Sequence, residues 1–385
     1  MKRMRAEKMM PRFFPIVLAF LCCGCDFFPV PLSDEEVAAM FGDGSNDALT
    51  DVAVDHAAAY PSQEPGTRPP VLTGFLPLTE EQLQEGRLQL FDGVSTFGWD
   101  SVNNSQAAKL TVKKLRAGGQ PILVSVMREK MEETTNSFHW LPECEFDSIA
   151  ECLSTSKNAD AGRTSVSTTP SFITQQNPGD MTITTKPFSG FTAIQAKPLN
   201  MRPLGENDWK AATEPAKSVW TDGVLELTGG SGMVESVAEY GDFVLQLEYK
   251  TDGPVNSGVF FRCIPGETMN GYECQIFNNP PADDYRKYIG TDTGGIFRRC
   301  VGRNVGPKDG QWNFLTVAVG GPRVATWVNG IQVVDWTDTR AENENPRNGL
   351  RLKPGTIQLQ GHDPATKILF RNIRIVESVS PGTPH

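Results

Sequence analysis

The chain has 385 residues, with 36 Lys and Arg against 46 Asp and Glu, for a formal net charge of -10. That length holds two domains of ordinary size, and the acidic balance argues against nucleic acid as a partner, because phosphate binding needs a basic surface. Glycine and proline number 36 and 28 and long helical patterns are scarce, so the composition points to a β-rich, turn-dense protein.

At the N-terminus, Lys2, Arg3, Arg5, Lys8 and Arg12 precede "FFPIVLAFLCC", an apolar run too short to span a bilayer. This is the order of an export signal. "LCCGCDFF" resembles a bacterial lipoprotein signal, removed as residues 1–24 with lipid attachment at Cys25; a plain secretory signal is the simpler reading. The protein is therefore expected in the bacterial cell envelope, outside the cytoplasm and lipid-anchored to a membrane. In an oxidising compartment Cys144 and Cys152 can pair across a short segment. Cys263 and Cys274, on adjacent strands with matching parity, are either bonded or buried thiols. Residues 25–75 are acidic, contain Ala and Pro, and end in "YPSQEPGTRPP", which reads as a tether.

Folded sequence begins at "LTEEQLQEGRLQLFDGVSTFGWDS", a short helix leading into a strand. "QPILVSV" and "DMTITTK" read as strands and "SKNADAGRTSVSTTPS" as a loop, so 76–202 is expected to be a small β domain. From about 205 the pattern sharpens. "SVWTDGVLELTG", "DFVLQLEYK", "SGVFFRCI", "GYECQIF", "WNFLTVAVG", "RVATWVNGIQVVDW", "GTIQLQGH" and "KILFRNIRIVE" are short alternating runs separated by Gly, Asn, Asp and Pro. Such spacing predicts an all-β fold, with antiparallel sheets stacked as a sandwich or jelly roll. Asn329-Gly330 between two runs is the strongest short hairpin signal.

Alternation also sorts these strands into an apolar face and an unusual polar one. Gln246 and Glu248 share a face, Arg262 shares one with Gly258 and Phe260, Glu273 joins Gln275, and Gln358 and Gln360 precede His362. Lysine and threonine, which usually fill a wet strand, are nearly absent there. Amides and an arginine suit fork-like hydrogen bonding of vicinal hydroxyls, so the expectation is a sugar groove shared by four strands. Solvent faces of an outer sheet are the plain alternative. Trp312, Trp327 and Trp336 are candidate stacking surfaces, although a tryptophan on a sandwich strand is more often core. Four histidines scattered along the chain argue against a multi-histidine zinc site, and no cofactor is expected, with a hard divalent cation such as calcium left open. No G-x-S-x-G elbow or phosphate-binding loop is present.

The run from "YGDFVLQLEYK" through "NSGVFFRCIPGETMNGYECQIFN", "TGGIFRR", "VATWVNGIQVVDWTDTR" and "ENPRNGLRLKPGTIQLQGHD" to "FRNIRI" resembles the 3-keto-disaccharide hydrolase family. The resemblance covers about 205–376, within a domain expected over 203–377 and followed by a tail at 378–385. It implies a concanavalin-like jelly roll. "LQLFDGVSTFGW" resembles the opening strand of the same domain, which makes 76–202 a shortened first copy. That copy lacks NSGVF-like and YECQI-like segments.

The resemblance implies action on glycosides oxidised to a ketone at C3. The ketone acidifies the C2 proton, so a base removes it, the C1 substituent leaves by elimination, and water adds to the enone. Such a route needs a base, a proton donor and a group that stabilises the enolate. Glu273 is the first choice for acid/base work, with His362 or Glu248 as partner and Arg262 at the enolate oxygen. Gln246, Gln275, Gln358 and Gln360 hold hydroxyls, and Asn256 and Asp363 shape the rim. The family further implies a partner sugar 3-dehydrogenase. Two other readings are a non-catalytic carbohydrate-binding module and a structural envelope protein, since a fold does not fix function.

Overall fold

The computed structural model describes residues 68–75, 77–92, 95, 97–101 and 191–377, apart from Ser231 and Asp363, together with the backbone strands between 102 and 190. The expected signal and tether up to residue 67, Cys25 and the 378–385 tail lie outside the described residues, as do the side chains of Cys144 and Cys152.

A short helix α1 (Glu80–Gln84) opens on a capping box in which Thr79 and Gln82 satisfy each other's backbone amides. It leads into β1 (Leu88–Phe91), as "LTEEQLQEGRLQL" predicted. The next strands are β2 (Asp100–Ser101), β3 (Ala108–Thr111), β4 (Ile122–Met131), β5 (Asn136–Trp140) and β6 (Cys144–Glu145). Then come β7 (Phe172–Thr174), β8 (Asp180–Thr184) and β9 (Phe191–Pro198). They form one sheet in the order β1-β9-β4-β5, with β6 also on β4, and a second in the order β2-β3-β8-β7. The two runs read as strands, "QPILVSV" and "DMTITTK", fall in β4 and β8.

The second half is an antiparallel β-sandwich. Its larger sheet contains β10 (Arg202–Pro203), β12 (Lys217–Thr221), β13 (Val224–Thr228), β15 (Phe243–Thr251), β18 (Asn313–Gly320), β19 (Arg323–Val328), β20 (Ile331–Thr337) and β22 (Lys367–Glu377). The order is β12-β13-β22-β15-β18-β19-β20, with β10 also on β22. The smaller sheet contains β11 (Trp209–Ala211), β14 (Gly232–Tyr240), β16 (Ser257–Cys263), β17 (Tyr272–Ile276) and β21 (Gly355–Gly361), in the order β11-β14-β21-β16-β17. One helix, α2 (Ala282–Lys287), interrupts the return from β17. The inward faces of the long strands supply the core: Leu245, Leu247 and Tyr249 from β15 join Val259, Phe261, Tyr272, Cys274, Ile276, Ile357 and Leu359 from the smaller sheet. Period-two alternation is the cause, because successive side chains point to opposite faces.

Turn chemistry sets the register. Val328 pairs with Ile331 around Asn329 (φ 50°) and Gly330 (φ 79°), the two left-handed residues that a tight primed hairpin requires.

The N-terminal segment is bound to the outer face of the larger sheet. Gln89 N–H donates to Gly330 O at 2.8 Å, the Trp327 indole donates to Gln89 O at 3.0 Å, and buried Arg303 pairs with buried Asp92 at 3.0 Å. Arg68 pairs with Asp292 at 3.3 Å, and Val71 forms a parallel bridge with Asn304. The expected tether thus ends earlier than 75: its last residues already follow the sandwich.

Cys263, Cys274 and Cys300 are free thiols. Cys274 sits in the core, whereas Cys263 joins Ala212, Met233 and Phe260 on the outside of the smaller sheet. Of the two readings, the buried thiols hold: register sets Cys274 opposite Val259, four residues from Cys263, and the bulge at Arg262 (φ 49°) turns Cys263 to the other face.

Candidate functional site

Across the outer face of the smaller sheet, register places side chains in two rows. Glu235 lies opposite Gln358, Gln358 opposite Phe260, and Phe260 opposite Glu273. Beside it, Met233 lies opposite Gln360, and Gly258 lies opposite Gln275. Four strands thus contribute one polar patch, as the parity argument anticipated for Glu273, Gln275, Gln358 and Gln360. All of these polar side chains are buried, so two loops wall the patch.

Half of the first row holds one of those loops. Gln358 donates to Glu267 O at 2.8 Å and accepts from Met269 N–H at 3.1 Å, while Glu235 accepts from Thr356 at 2.7 Å and from the Gly266 amide at 3.3 Å. Burial pushes the Glu235 carboxyl up, but these bonds and Lys210 outweigh it and hold it below its ordinary value. Gln358 is therefore a clamp on loop 264–271, and its amide is already taken rather than open to a hydroxyl.

The second row is different. Gln275 donates to Asn256 Oδ1 at 2.6 Å, and Gln360 reaches only the Met269 sulfur at 4.0 Å. Both amide oxygens are buried with no hydrogen-bond partner. An unsatisfied buried acceptor costs about 1–3 kcal/mol, so a pair of them is a standing demand for donors. Gly258, between β17 and β21, supplies the space. A Cβ there would lie 3.1 Å from Glu273 Oε1.

Glu273 closes this notch. Its Oε2 accepts from Arg347 at 3.0 Å, and that guanidinium lies 5.1 Å from the Phe260 ring centroid and 6.0 Å from Phe297's. Burial pushes the Glu273 carboxyl above its ordinary value, opposed in turn by the charges of Arg347, His362 and Arg298. His362 follows β21, is exposed at the rim, and is near enough to act on Glu273 through its charge. A protonatable carboxyl, an imidazole, a guanidinium and two open acceptors are thus assembled in one place. Among the described residues no group of three His, Cys, Asp or Glu side chains is placed to hold a metal ion.

Three expected members are elsewhere. Gln246 and Glu248 do face outward, but from β15 in the other sheet. Gln246 donates to Gly86 O at 3.0 Å, and Glu248 accepts from Arg371 at 2.7 Å and Asn372 at 2.5 Å. Cavities of ≈350 and ≈510 Å³ adjoin them, under α1 on the side of the sandwich away from Glu273. Alternation reports which face a residue takes, never which sheet. Arg262 is the third. Its bulge turns the side chain off the Phe260 face, and it donates to Gly241 O at 3.1 Å, Arg351 O at 2.8 Å and Asp242 at 2.7 Å. Asp363 lies outside the described residues. The tryptophans are not at the notch: Trp336 is core, Trp327 lies under Gln89, and Trp312 faces Arg371 at 3.9 Å.

Sequence reasoning missed Arg347, which sits in an aperiodic loop with no pattern to mark it. Gly258 did carry a signal, because a glycine inside a strand marks a close approach.

Residues 204–376 match the family described as the 3-keto-alpha-glucoside-1,2-lyase-like domain. No curated protein matches the chain. Among solved structures, a candidate glycosyl hydrolase from Parabacteroides distasonis ATCC 8503 is 26% identical, covering 46% of this chain and 99% of its own with a TM-score of 0.39. Another from the same organism is 22% identical, covering 57% and 95% at a TM-score of 0.36. The carbohydrate-binding module CBM66 from Bacillus subtilis is 14% identical, covering 45% and 95% at 0.30. Within this chain, the match to the 3-keto-alpha-glucoside-1,2-lyase-like domain model runs over residues 204–376.

Proposed function

We propose that the 204–376 domain cleaves glycosides whose sugar carries a ketone at C3, at the notch formed by Glu273, Gln275 and Gln360. The carrying observation is the pair of buried, unpartnered amide oxygens beside a buried carboxyl. Sugar hydroxyls are the donors that such acceptors lack.

In this reading His362 removes the C2 proton, and the C–H electrons form the enolate whose oxygen faces Arg347. The enolate collapses, the C1–O bond breaks, and the Glu273 carboxyl gives its proton to the leaving oxygen. Water then adds at C1 of the enone and a proton returns to C2, so the net change is hydrolysis without oxidation or reduction. Arg347 takes the part that the sequence had assigned to Arg262. Export, a lipid anchor at Cys25 and a separate sugar 3-dehydrogenase that supplies the ketone complete the proposal.

Product analysis with a 3-keto-disaccharide and its unoxidised parent tests it directly. Cleavage of the keto sugar alone is the expected result. Binding of either sugar with cleavage of neither supports the second reading, a carbohydrate-binding module, for which the open glutamine acceptors serve recognition alone. Gly258→Ala is expected to lower kcat/KM, because a Cβ 3.1 Å from Glu273 Oε1 makes that carboxyl give by a few tenths of an ångström, but by less than the roughly 10²-fold that a shift of about 1 Å brings. A parental kcat/KM in this variant would remove the notch from the mechanism.

A further inference from the structure

Arg347 is a partly exposed arginine on a loop, and such a side chain has no intrinsic reason to rest on one carboxylate. Its placement comes from the loop's interior. Residues 338–350 close on themselves: Asn343 N–H donates to Leu350 O at 2.8 Å and Leu350 N–H to Ala341 O at 2.9 Å. Arg340 fills the ring so formed. Its guanidinium donates to both oxygens of Asp338 at 2.8 Å, to Pro346 O at 2.9 Å and to Gly349 O at 2.9 Å. Pro346 immediately precedes Arg347, and Gly349 follows two residues later.

The other end of this chain of bonds is on β17. Asp338 accepts from the Tyr272 hydroxyl at 2.7 Å, and Tyr272 is the residue before Glu273. Arg299 adds a bond to Arg347 O at 2.6 Å, and Arg347 Nε donates to Met269 O at 3.0 Å on the opposing loop. One strand thus presents Glu273 outward and, through its inward neighbour, fixes the loop that returns a cation to it.

We infer that Arg340, which touches neither Glu273 nor the notch, is the positioning residue that delivers Arg347 to the Glu273 carboxylate. The planar guanidinium is required, because it bridges a carboxylate and two carbonyls at once; a lysine keeps the Asp338 charge pair but lacks the fork. The inference deepens the proposed reaction and rests on that reading for its significance. Its test uses no substrate, so the two fail separately.

The charges facing Glu273 are Arg347 from this loop, Arg298 from the segment after α2, and His362 after β21. Arg347 leads those that oppose the effect of burial, so its displacement raises the Glu273 midpoint. In the full chain, glutamate labelled with ¹³C at the side-chain carboxyl is titrated by NMR, and the Glu273 signal is assigned by its loss in Glu273→Gln. Arg347→Gln and Arg340→Lys are both expected to move that midpoint upward, in the same direction and by comparable amounts. Arg323→Lys removes a similar fork from Asp335, on β19 and β20 away from the notch, and is expected to leave it unchanged.

Gly349→Ala leaves the Arg340 side chain in place and displaces a carbonyl it holds, since a Cβ there would lie 2.4 Å from Ala341 O; it keeps the test open if Arg340→Lys does not fold. Its expected effect is the same upward shift. An unmoved midpoint in Arg340→Lys, or in Gly349→Ala if that variant alone folds, beside a moved one in Arg347→Gln overturns the inference. So does an unmoved midpoint in Arg347→Gln.

Discussion

Glu273→Gln is expected to lower kcat for a 3-keto-glycoside by about 10²–10⁴-fold, the usual contribution of a positioned acid or base, with little change in KM. The amide keeps the shape and the Arg347 contact while removing the proton. A second consequence concerns stability. Burial raises this carboxyl above its ordinary 4.5, so the folded protein holds a proton that the unfolded chain releases. Its contribution to stability is therefore lost as pH rises from the unfolded value to the folded one. The melting temperature of Glu273→Gln relative to the parent is expected to increase across that interval, measured by calorimetry at several pH values. Turnover at the parental rate would remove Glu273 from the chemistry, and a flat melting difference would remove the buried ionisation.

Arg262→Ala is expected to act on the fold instead. The side chain is 1% exposed and satisfies two backbone carbonyls and Asp242. Its loss leaves the Gly241 and Arg351 carbonyls without this donor, while Asp242 is exposed enough to turn to water; an unsatisfied acceptor costs about 1–3 kcal/mol, which corresponds to roughly 2–12 °C in melting temperature for a domain of this size. The protein that remains folded at low temperature is expected to keep its turnover. Unchanged stability with lost turnover would return Arg262 to the site and displace Arg347 from it.

These contrasting expectations follow from how differently the two residues could be read in sequence. Glu273 lies in an unbroken alternating strand, so its parity alone set it opposite the Tyr272 and Cys274 core face. Arg262 sits two residues after Phe260 and shared its face on the same reasoning. A left-handed residue at 262 broke the period, and nothing in "GVFFRC" announces it. Gln246 and Glu248 illustrate a second limit. Their outward orientation was legible, yet both outer faces of a sandwich show the same alternation. Only strand order assigns β15 to the larger sheet.

Sequence by itself determined the antiparallel sandwich, the Asn329-Gly330 hairpin and the face taken by Glu273 and Gln275. These are local properties: alternation and left-handed turn residues act over a few neighbours and need no knowledge of the rest of the chain. Tertiary structure decided that Gln358 clamps a loop while the Gln275 and Gln360 oxygens stay open, and that Arg347 supplies the cation. It also placed Gln246 and Glu248 under the N-terminal segment. Each of these depends on contacts between residues tens to hundreds of positions apart, whose partners are chosen by sheet order and loop closure rather than by any period in the chain.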